Sequence, residues 1–301
     1  MAAITVNPLA RGTMFPPELV EDMVSKVRGK SALAKLSEQR PIAFNGTREM
    51  VFNMPNELDI VGENQPKSHG GVQVDPVTII PIKFEYGARI SDEFKYASEE
   101  SRLDTLTKFN EGFAKKAGKA LDIAAFHGIN PKTGLASTVV GTNHFDSLVT
   151  TKVTQTAAVD DNLETAISGL IALDHDVTGI AMSPAFAAAM AGIKANGIAQ
   201  YPEFKFGSAP ESFYGKGIDV NSTVSKALSG ATTTDAAIVG NFADYFAWGY
   251  SKEIPVEVIE YGDPDNTGSD LKGHNQIYLR AEIYMGWGIL DPTAFSRVVV
   301  Q

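Results

Sequence analysis

Strand-prone apolar residues recur along Arg48-Glu-Met-Val-Phe-Asn-Met-Pro55, and a second apolar run, Leu58-Asp-Ile-Val61, follows at once. A turn-rich tip comes next, Gly62-Glu-Asn-Gln-Pro-Lys-Ser-His-Gly-Gly71. The chain then returns through Val72 to Tyr86, rich in Val, Ile, Phe and Tyr at alternating positions. This pattern predicts one long β-hairpin with a polar tip. A two-stranded ribbon is marginal in water by itself, and its edges invite pairing. The economical inference is that the ribbon lies on a neighbouring copy of the same protein.

The pattern then changes period. Leu103, Leu106, Phe109, Phe113, Ala117, Leu121 and Ala124 fall three or four apart, one apolar stripe of a helix. Ser91 is the expected N-cap, Asp92 and Glu93 would sit in the first turn, and Gly128 is the stop after His127. A continuous helix from 91 to 127 would be roughly 55 Å long. Ahead of the hairpin, residues 1–15 lack periodicity and read as an arm. Phe15-Pro-Pro17 opens a short helix, 18–27, and Ser31 to Leu36 makes another brief turn. Residues 130–160 read as loop with short strand-like runs such as Ser137 to Val140. Beyond Asp161 the pattern predicts helices at Asn162–Asp174 and from Ser183 to about Ala195. Strands are expected at Thr178–Met182, Tyr214–Val220, Ala236–Val239 and Ile254–Ile259, with Gly262–Asp270 as a loop. Two closing strands, Asn275–Tyr284 and Phe295–Val300, are expected to bracket Gly286-Trp-Gly288. No internal repeat is visible. The fold class is α+β.

Composition narrows the function. With 301 residues, 44% hydrophobic and 21% charged, the chain can bury a sizeable core. It has no cysteine, which removes disulfide frameworks, thiolate metal sites and cysteine nucleophiles. The most apolar helical stretch, Ile180 to Ile193, is broken by Ser183-Pro184, so no membrane partner is expected. The first eight residues lack the layout of a secretion signal. The net charge of −10 argues against tight, generic nucleic-acid binding. Charge is uneven: residues 1–40 carry +2 and residues 241–275 carry −5.

Several motifs in order resemble the tailed-bacteriophage major capsid proteins with the Hong Kong ninety-seven fold. Val61-Gly-Glu63 with Pro66-Lys-Ser68, the Val/Ile strand after it, and Arg89-Ile-Ser-Asp-Glu-Phe94 resemble that family's extended loop and its approach to a spine helix. Ala120-Leu-Asp-Ile-Ala-Ala-Phe-His-Gly128 resembles the end of the spine. Phe213 to Val220 is similar to a G-x-P-V strand, with Ile218-Asp219 in place of Pro. Ala237-Ile-Val-Gly-Asn-Phe242 is similar to a G-D-F strand, with Asn241 for Asp. Leu279-Arg-Ala-Glu with Leu290-Asp-Pro-Thr-Ala-Phe295 resembles the closing segment.

The resemblance implies an arm at 1–39, an extended loop at 40–90, a peripheral domain at 91–154 and 276–301 with its spine at 91–127, and an axial domain at 155–275. It implies hexamers and pentamers of this chain in an icosahedral virion shell around double-stranded DNA, assembled in the bacterial cytoplasm. A separate scaffolding protein and a portal are the implied further partners; the chain is otherwise expected to be a mature form. Inter-subunit contacts are expected at Gly62, Glu63, Asn64, Lys67, Ser68 and His69. Some relatives join an extended-loop lysine to a neighbour's asparagine; Lys67 is the one lysine in the tip, and a rim lysine or a salt bridge is its plainer reading.

Catalytic and metal chemistry find little support. There is no phosphate loop, nucleophile elbow or paired-histidine motif, so no enzyme, no cofactor and no metal are expected. Asp174-His-Asp176 could orient a base for a soluble enzyme, but reads as a solvated loop. Asp263-Pro-Asp265-Asn-Thr267-Gly268 partly fits a calcium loop, yet its twelfth place is His274, and an acidic turn is the default. Lys115, Lys116 and Lys119 could contact DNA or line a solvated helix face. An encapsulin shell, which shares the fold, remains the alternative.

Overall fold

A computed structural model describes residues 31–54, 56–225, 234–252 and 256–300. The expected arm and the helix at 18–27 lie outside the described residues. The first described element is a short helix, Ala32–Leu36, capped by the Ser31 hydroxyl, which accepts from Ala34 N at 3.1 Å. Strands β1 (Thr47–Asn53) and β2 (Gln73–Ile79) form the predicted hairpin, antiparallel from Thr47↔Ile79 at the root to Asn53↔Gln73. The return strand is shorter than the pattern suggested. Pro81 has no N–H to donate and interrupts it, so Ile82–Ser91 becomes a separate strand, β3, in a different sheet.

The spine helix runs from Glu99 to His127, eight residues shorter at its start than expected. Ser91 does cap a helical turn, but only the 3₁₀ turn Asp92–Tyr96. The chain is extended at Ala97, and a second serine, Ser98, caps the α-helix by accepting from Ser101 N. Gly128 ends it in the left-handed region at φ 66°, where a Cβ would also strike the His144 ring. Residues 137–140, expected as strand, form turns instead.

Beyond β4 (Lys152–Thr154) lies a helix at Val159–Ile171. Strand β5 (Gly179–Met182) leads into a helix at Pro184–Gly192, which the Ser183 hydroxyl caps as expected. Next come a small hairpin, β6 (Lys194–Ala195) and β7 (Ile198–Ala199), then β8 (Ser212–Phe213), β9 (Lys216–Val220) and β10 (Thr234–Gly240). The last four strands are β11 (Phe246–Lys252), β12 (Glu257–Ile259), β13 (Gln276–Ile289) and β14 (Phe295–Val300). Gly286-Trp-Gly288 does not interrupt β13, contrary to expectation. The two glycines stay in the strand because Ile79 and Ile80 from the hairpin root press on them; a Cβ at Gly288 would lie 2.8 Å from Ile79 Cγ1.

Two sheets result. A mixed six-stranded sheet has the order β4-β14-β10-β5-β9-β8. In the other, β13 pairs β3 along one edge, from Gln276↔Ser91 to Met285↔Ile82, and β12 and β11 along the other. The six-stranded sheet divides two cores. Ile238 and Phe295 on one face join the spine helix, where Phe145 packs on Phe126, Phe246 and Phe295. Ala237, Val239 and Val298 on the other face meet the helices at 159–171 and 184–192.

The segment just before the hairpin is held partly by backbone: Arg40 N donates to Trp248 O at 2.8 Å. A Cβ at Gly249 would lie 1.8 Å from Arg40 O. Backbone cannot swing aside as a side-chain tip can. Gly249→Ala is therefore expected to cost about 2 kcal/mol, read as a lower midpoint in thermal or denaturant unfolding, whereas Gly192→Ala, with open space at its Cβ, should leave the midpoint within about 0.5 kcal/mol.

Candidate functional site

Only the root of the hairpin is buried. Ile79 is 1% exposed and packs with Ile42 and Ala247, while the rest of β2 is open to solvent or half-buried. Further out, Met50, Met54, Val72 and Val74 are exposed, and Leu58 and Ile60 reach 97% and 99%. Isolated exposed apolar side chains are ordinary, but a run of them on one projecting element marks a contact surface. Gly62, Glu63, Asn64, Lys67, Ser68 and His69 are all exposed in the loop between β1 and β2. Gln65 N donates to Gly62 O at 3.2 Å, and Asn64 takes φ 63°, so the tip is a turn. Among the described residues the Lys67 ammonium meets no carboxylate of its own chain.

The root is fastened twice. Ile79 and Ile80 seat on Gly286 and Gly288, and Arg89 on β3 clasps the acidic loop that begins at Gly262. Its Nη2 donates to Asp263 Oδ1 at 2.6 Å, to Thr267 Oγ1 at 2.6 Å, to Ser269 O at 3.0 Å and also to Asp265; Nε donates to Asp265 Oδ2 at 2.9 Å. Asp263 Oδ2 accepts from Gly268 N at 2.6 Å. The Arg89 guanidinium beside Asp265 holds that carboxyl down at about 2. The calcium-like pattern is thus satisfied by an arginine from another strand. Asp174 and Asp176 are exposed, and His175 Nε2 lies 3.2 Å from Thr293 Oγ1 with its ring edge-on to Tyr245, so the three are not gathered around a base.

A buried polar chain, which sequence reasoning missed, runs along the spine face of the six-stranded sheet. Asp122 on the spine receives the Ser31 hydroxyl, Ala32 N at 2.8 Å, Leu33 N at 3.3 Å and the Thr223 hydroxyl at 2.8 Å. Thr223 O lies 2.9 Å from His127 Nε2, and His127 Nδ1 lies 3.0 Å from Asp146 Oδ2. Arg297 Nη2 donates to Asp146 Oδ1 at 2.5 Å and to Asp235 Oδ1 at 2.8 Å; its Nε donates to both Asp235 oxygens at 3.1 Å. A β-bulge between Asp235 and Ala237 turns the Asp235 side chain toward Arg297. The ligand atoms of His127, Asp146 and Asp235 lie within 4.8 Å of one another. The arginine charge bonded to both carboxylates leaves that set unfit for a metal.

Burial pushes the Asp146 carboxyl up, but His127 and Arg297 outweigh it and hold it below the usual range. Burial lowers the His127 ring, and Asp146 more than restores it, so its pKa is raised. Burial, then Asp146, push Asp235 up to about 7 against Arg297. Burial of Asp122 outweighs its donors and pushes it up to about 6.

The profile of the phage capsid family matches residues 11–300. A solved structure from Mycobacterium phage Ogopogo is 32% identical and superposes with a TM-score of 0.77, covering 90% of this chain and 92% of that one. The chain belongs to the phage capsid family. A second structure, from Gordonia phage Cozz, is 24% identical with a TM-score of 0.73, covering 89% and 86%. The "capsid of empty GTA particle computed with C5 symmetry" is 14% identical with a TM-score of 0.64 and 90% coverage of each chain. At those identities the likeness shows the fold alone. Comparison with curated proteins returned no match. The α+β architecture is that of the Hong Kong ninety-seven capsid fold, and this capsid-family chain is a structural subunit of a phage shell; the likenesses do not favour an encapsulin. No described helix is long and apolar enough to cross a membrane.

The Asp122 cluster has a pH signature. Folded Asp122 keeps its proton up to about 6, whereas an unfolded Asp releases it near about 3.9. The folded state therefore binds more protons between those values, and this group's contribution to stability falls as pH rises from about 4 to about 6. Asp122→Asn should remove that component of the slope. Asp122→Ala, which orphans the Ser31, Ala32, Leu33 and Thr223 donors, should cost on the order of 3 kcal/mol. Both are read by denaturant unfolding across pH 4–7.

Proposed function

We propose that the chain assembles as hexamers and pentamers into an icosahedral shell enclosing double-stranded DNA, with the extended loop as the arm that grips a neighbouring copy. The observation that carries this reading is the hairpin itself: a ribbon rooted in the body at Ile79 whose apolar residues Leu58 and Ile60 are almost fully exposed. Covering each such side chain on a neighbour contributes about 1.5–3 kcal/mol, and closed symmetry repeats the contact at every subunit. Glu63, Asn64, Lys67, Ser68 and His69 would supply the polar rim around that patch, with Gly62 letting the turn lie close. The division into arm 1–39, loop 40–90, peripheral domain 91–154 and 276–301, and axial domain 155–275 belongs to this reading. So do a separate scaffolding protein, a portal, assembly in the bacterial cytoplasm, and the absence of catalysis. Contact with DNA would be weak and non-specific, as a net charge of −10 requires.

The test is Leu58→Ser combined with Ile60→Ser. Both sites are exposed in the single chain, so unfolding of the subunit should change by less than about 0.5 kcal/mol. Sedimentation and negative-stain imaging should show a loss of closed shells, with subunits or small oligomers in their place. Shells formed at the wild-type yield by a normally folded double variant would overturn the role given to the loop.

A further inference from the structure

His127 is the last residue of the spine helix, buried, and flanked by an acceptor on each side. Thr223 O faces Nε2 and a carboxylate oxygen of Asp146 faces Nδ1. A carbonyl oxygen can only accept, so Nε2 must carry a proton. Asp146 takes Arg297 Nη2 on its other oxygen and Arg297 Nη1 on its backbone carbonyl at 3.1 Å, which keeps it an anion and an acceptor. Nδ1 must then carry a proton as well. The ring is an imidazolium, and the C-terminal end of a helix favours a cation. His127 and Arg297 both face Asp146, which stays an anion, and Asp235 adds a second negative charge only above about 7.

We propose that doubly protonated His127 is a proton-controlled tie that fastens the Thr223 turn, and through Asp122 the Ser31–Leu33 segment, to strands β10 and β14. Removing one proton leaves either Nδ1 lone pair to Asp146 or Nε2 lone pair to Thr223 O, so one contact must open whichever tautomer forms. The contact to Thr223 is the weaker of the two, being to a neutral carbonyl. Once it opens, the Thr223 hydroxyl leaves Asp122, and the carboxylate holding Ala32 N and Leu33 N loses a donor. The Ser31–Leu33 segment thereby becomes sensitive to a proton on the spine.

Several titratable and charged groups face His127, and Asp235 changes charge within the same pH range. His144, packed beside Gly128 from the loop before Asp146, is lowered by burial, with Asp146 opposing and the His127 and Arg297 charges reinforcing the shift. Asp122 and Asp235 change charge at about 6 and about 7, Asp146 below the ordinary carboxylate range, and the Arg297 guanidinium bonds to both Asp146 and Asp235. The tie is complete below the unfolded histidine value of about 6.5 and is lost as pH rises through the raised folded value.

Hydrogen exchange of the full chain in assembled shells, corrected for intrinsic base catalysis, tests this. Protection of the Ala32 and Leu33 amides should fall severalfold as pH rises from about 6.5 to about 9.5. In His127→Gln, whose side chain cannot titrate, the fall at those amides should be much smaller than in the wild type, with only the Asp235 share left. An equal pH-dependent fall in the variant would overturn the proposal. Should the variant fail to fold, solid-state ¹⁵N spectra of histidine-labelled wild-type shells decide the matter. Both ring nitrogens of His127 protonated at pH 7 support the tie, and a singly protonated ring at pH 7 sinks it.

Discussion

Among the described residues, the apolar side chains at the tip of the extended loop are left uncovered. Among the described side chains of strands β1 and β2 one, Ile79 at the root, is buried, and the others are exposed or half-buried. A ribbon of that kind contributes little to its own stability, so the body must hold its base rigidly enough to aim it. The structure does this with backbone-level fits rather than with more apolar area. Ile79 and Ile80 press into a strand made thin by Gly286 and Gly288. Pro81 then sends the chain into β3, which runs alongside β13 for its whole length, and Arg89 ties the far end of β3 to the acidic loop. Each contact resists a different motion of the hairpin root.

The same economy explains the polar seam. Burying His127, Arg297, Asp146 and Asp235 together costs desolvation that an apolar cluster of equal volume would avoid. Their geometry gives direction, which dispersion does not. Arg297 on β14, Asp235 on β10 and Asp146 before β4 can satisfy one another in only one register of the six-stranded sheet. The bulge between Asp235 and Ala237 lies at this contact. A sheet with cores on both faces has little else to set its alignment, since sliding a strand by two residues keeps apolar side chains on the same sides.

Much of this was legible in the sequence. The hairpin, its tip, the spine's apolar stripe, the Ser183 cap and the glycine stop after His127 all follow from local periodicity and capping, which depend on neighbours in sequence. What failed depended on partners far away. Ser91 and Ser98 are equally good caps on paper, and only the pairing of β3 with β13 up to Ser91 decides that the α-helix starts later. Gly286 and Gly288 look like a break because their reason, the root of the hairpin, lies about two hundred residues earlier. The acidic loop resembles a cation site because its cation is Arg89, on a different strand. Asp122, His127, Asp146, Asp235 and Arg297 fall at no recognisable spacing, and no signal in the sequence alone could have joined them.

A shell subunit has to be finished as a fold and unfinished as a surface. Each copy carries −10, so copies repel at long range, and the repulsion is screened only beyond roughly 8 Å at physiological salt. Contacts between copies must therefore be short-ranged and apolar, which is what the loop offers at Leu58 and Ile60. They must also be individually modest, because a strong contact would trap misplaced subunits before a shell could close. An exposed ribbon satisfies both demands: its area is small, its position is fixed by the body, and symmetry rather than local affinity supplies the strength. In the proposed assembly, polar groups around the tip would complete the arrangement by making wrong partners costly in unpaired charge while leaving the correct partner free to cover the apolar patch.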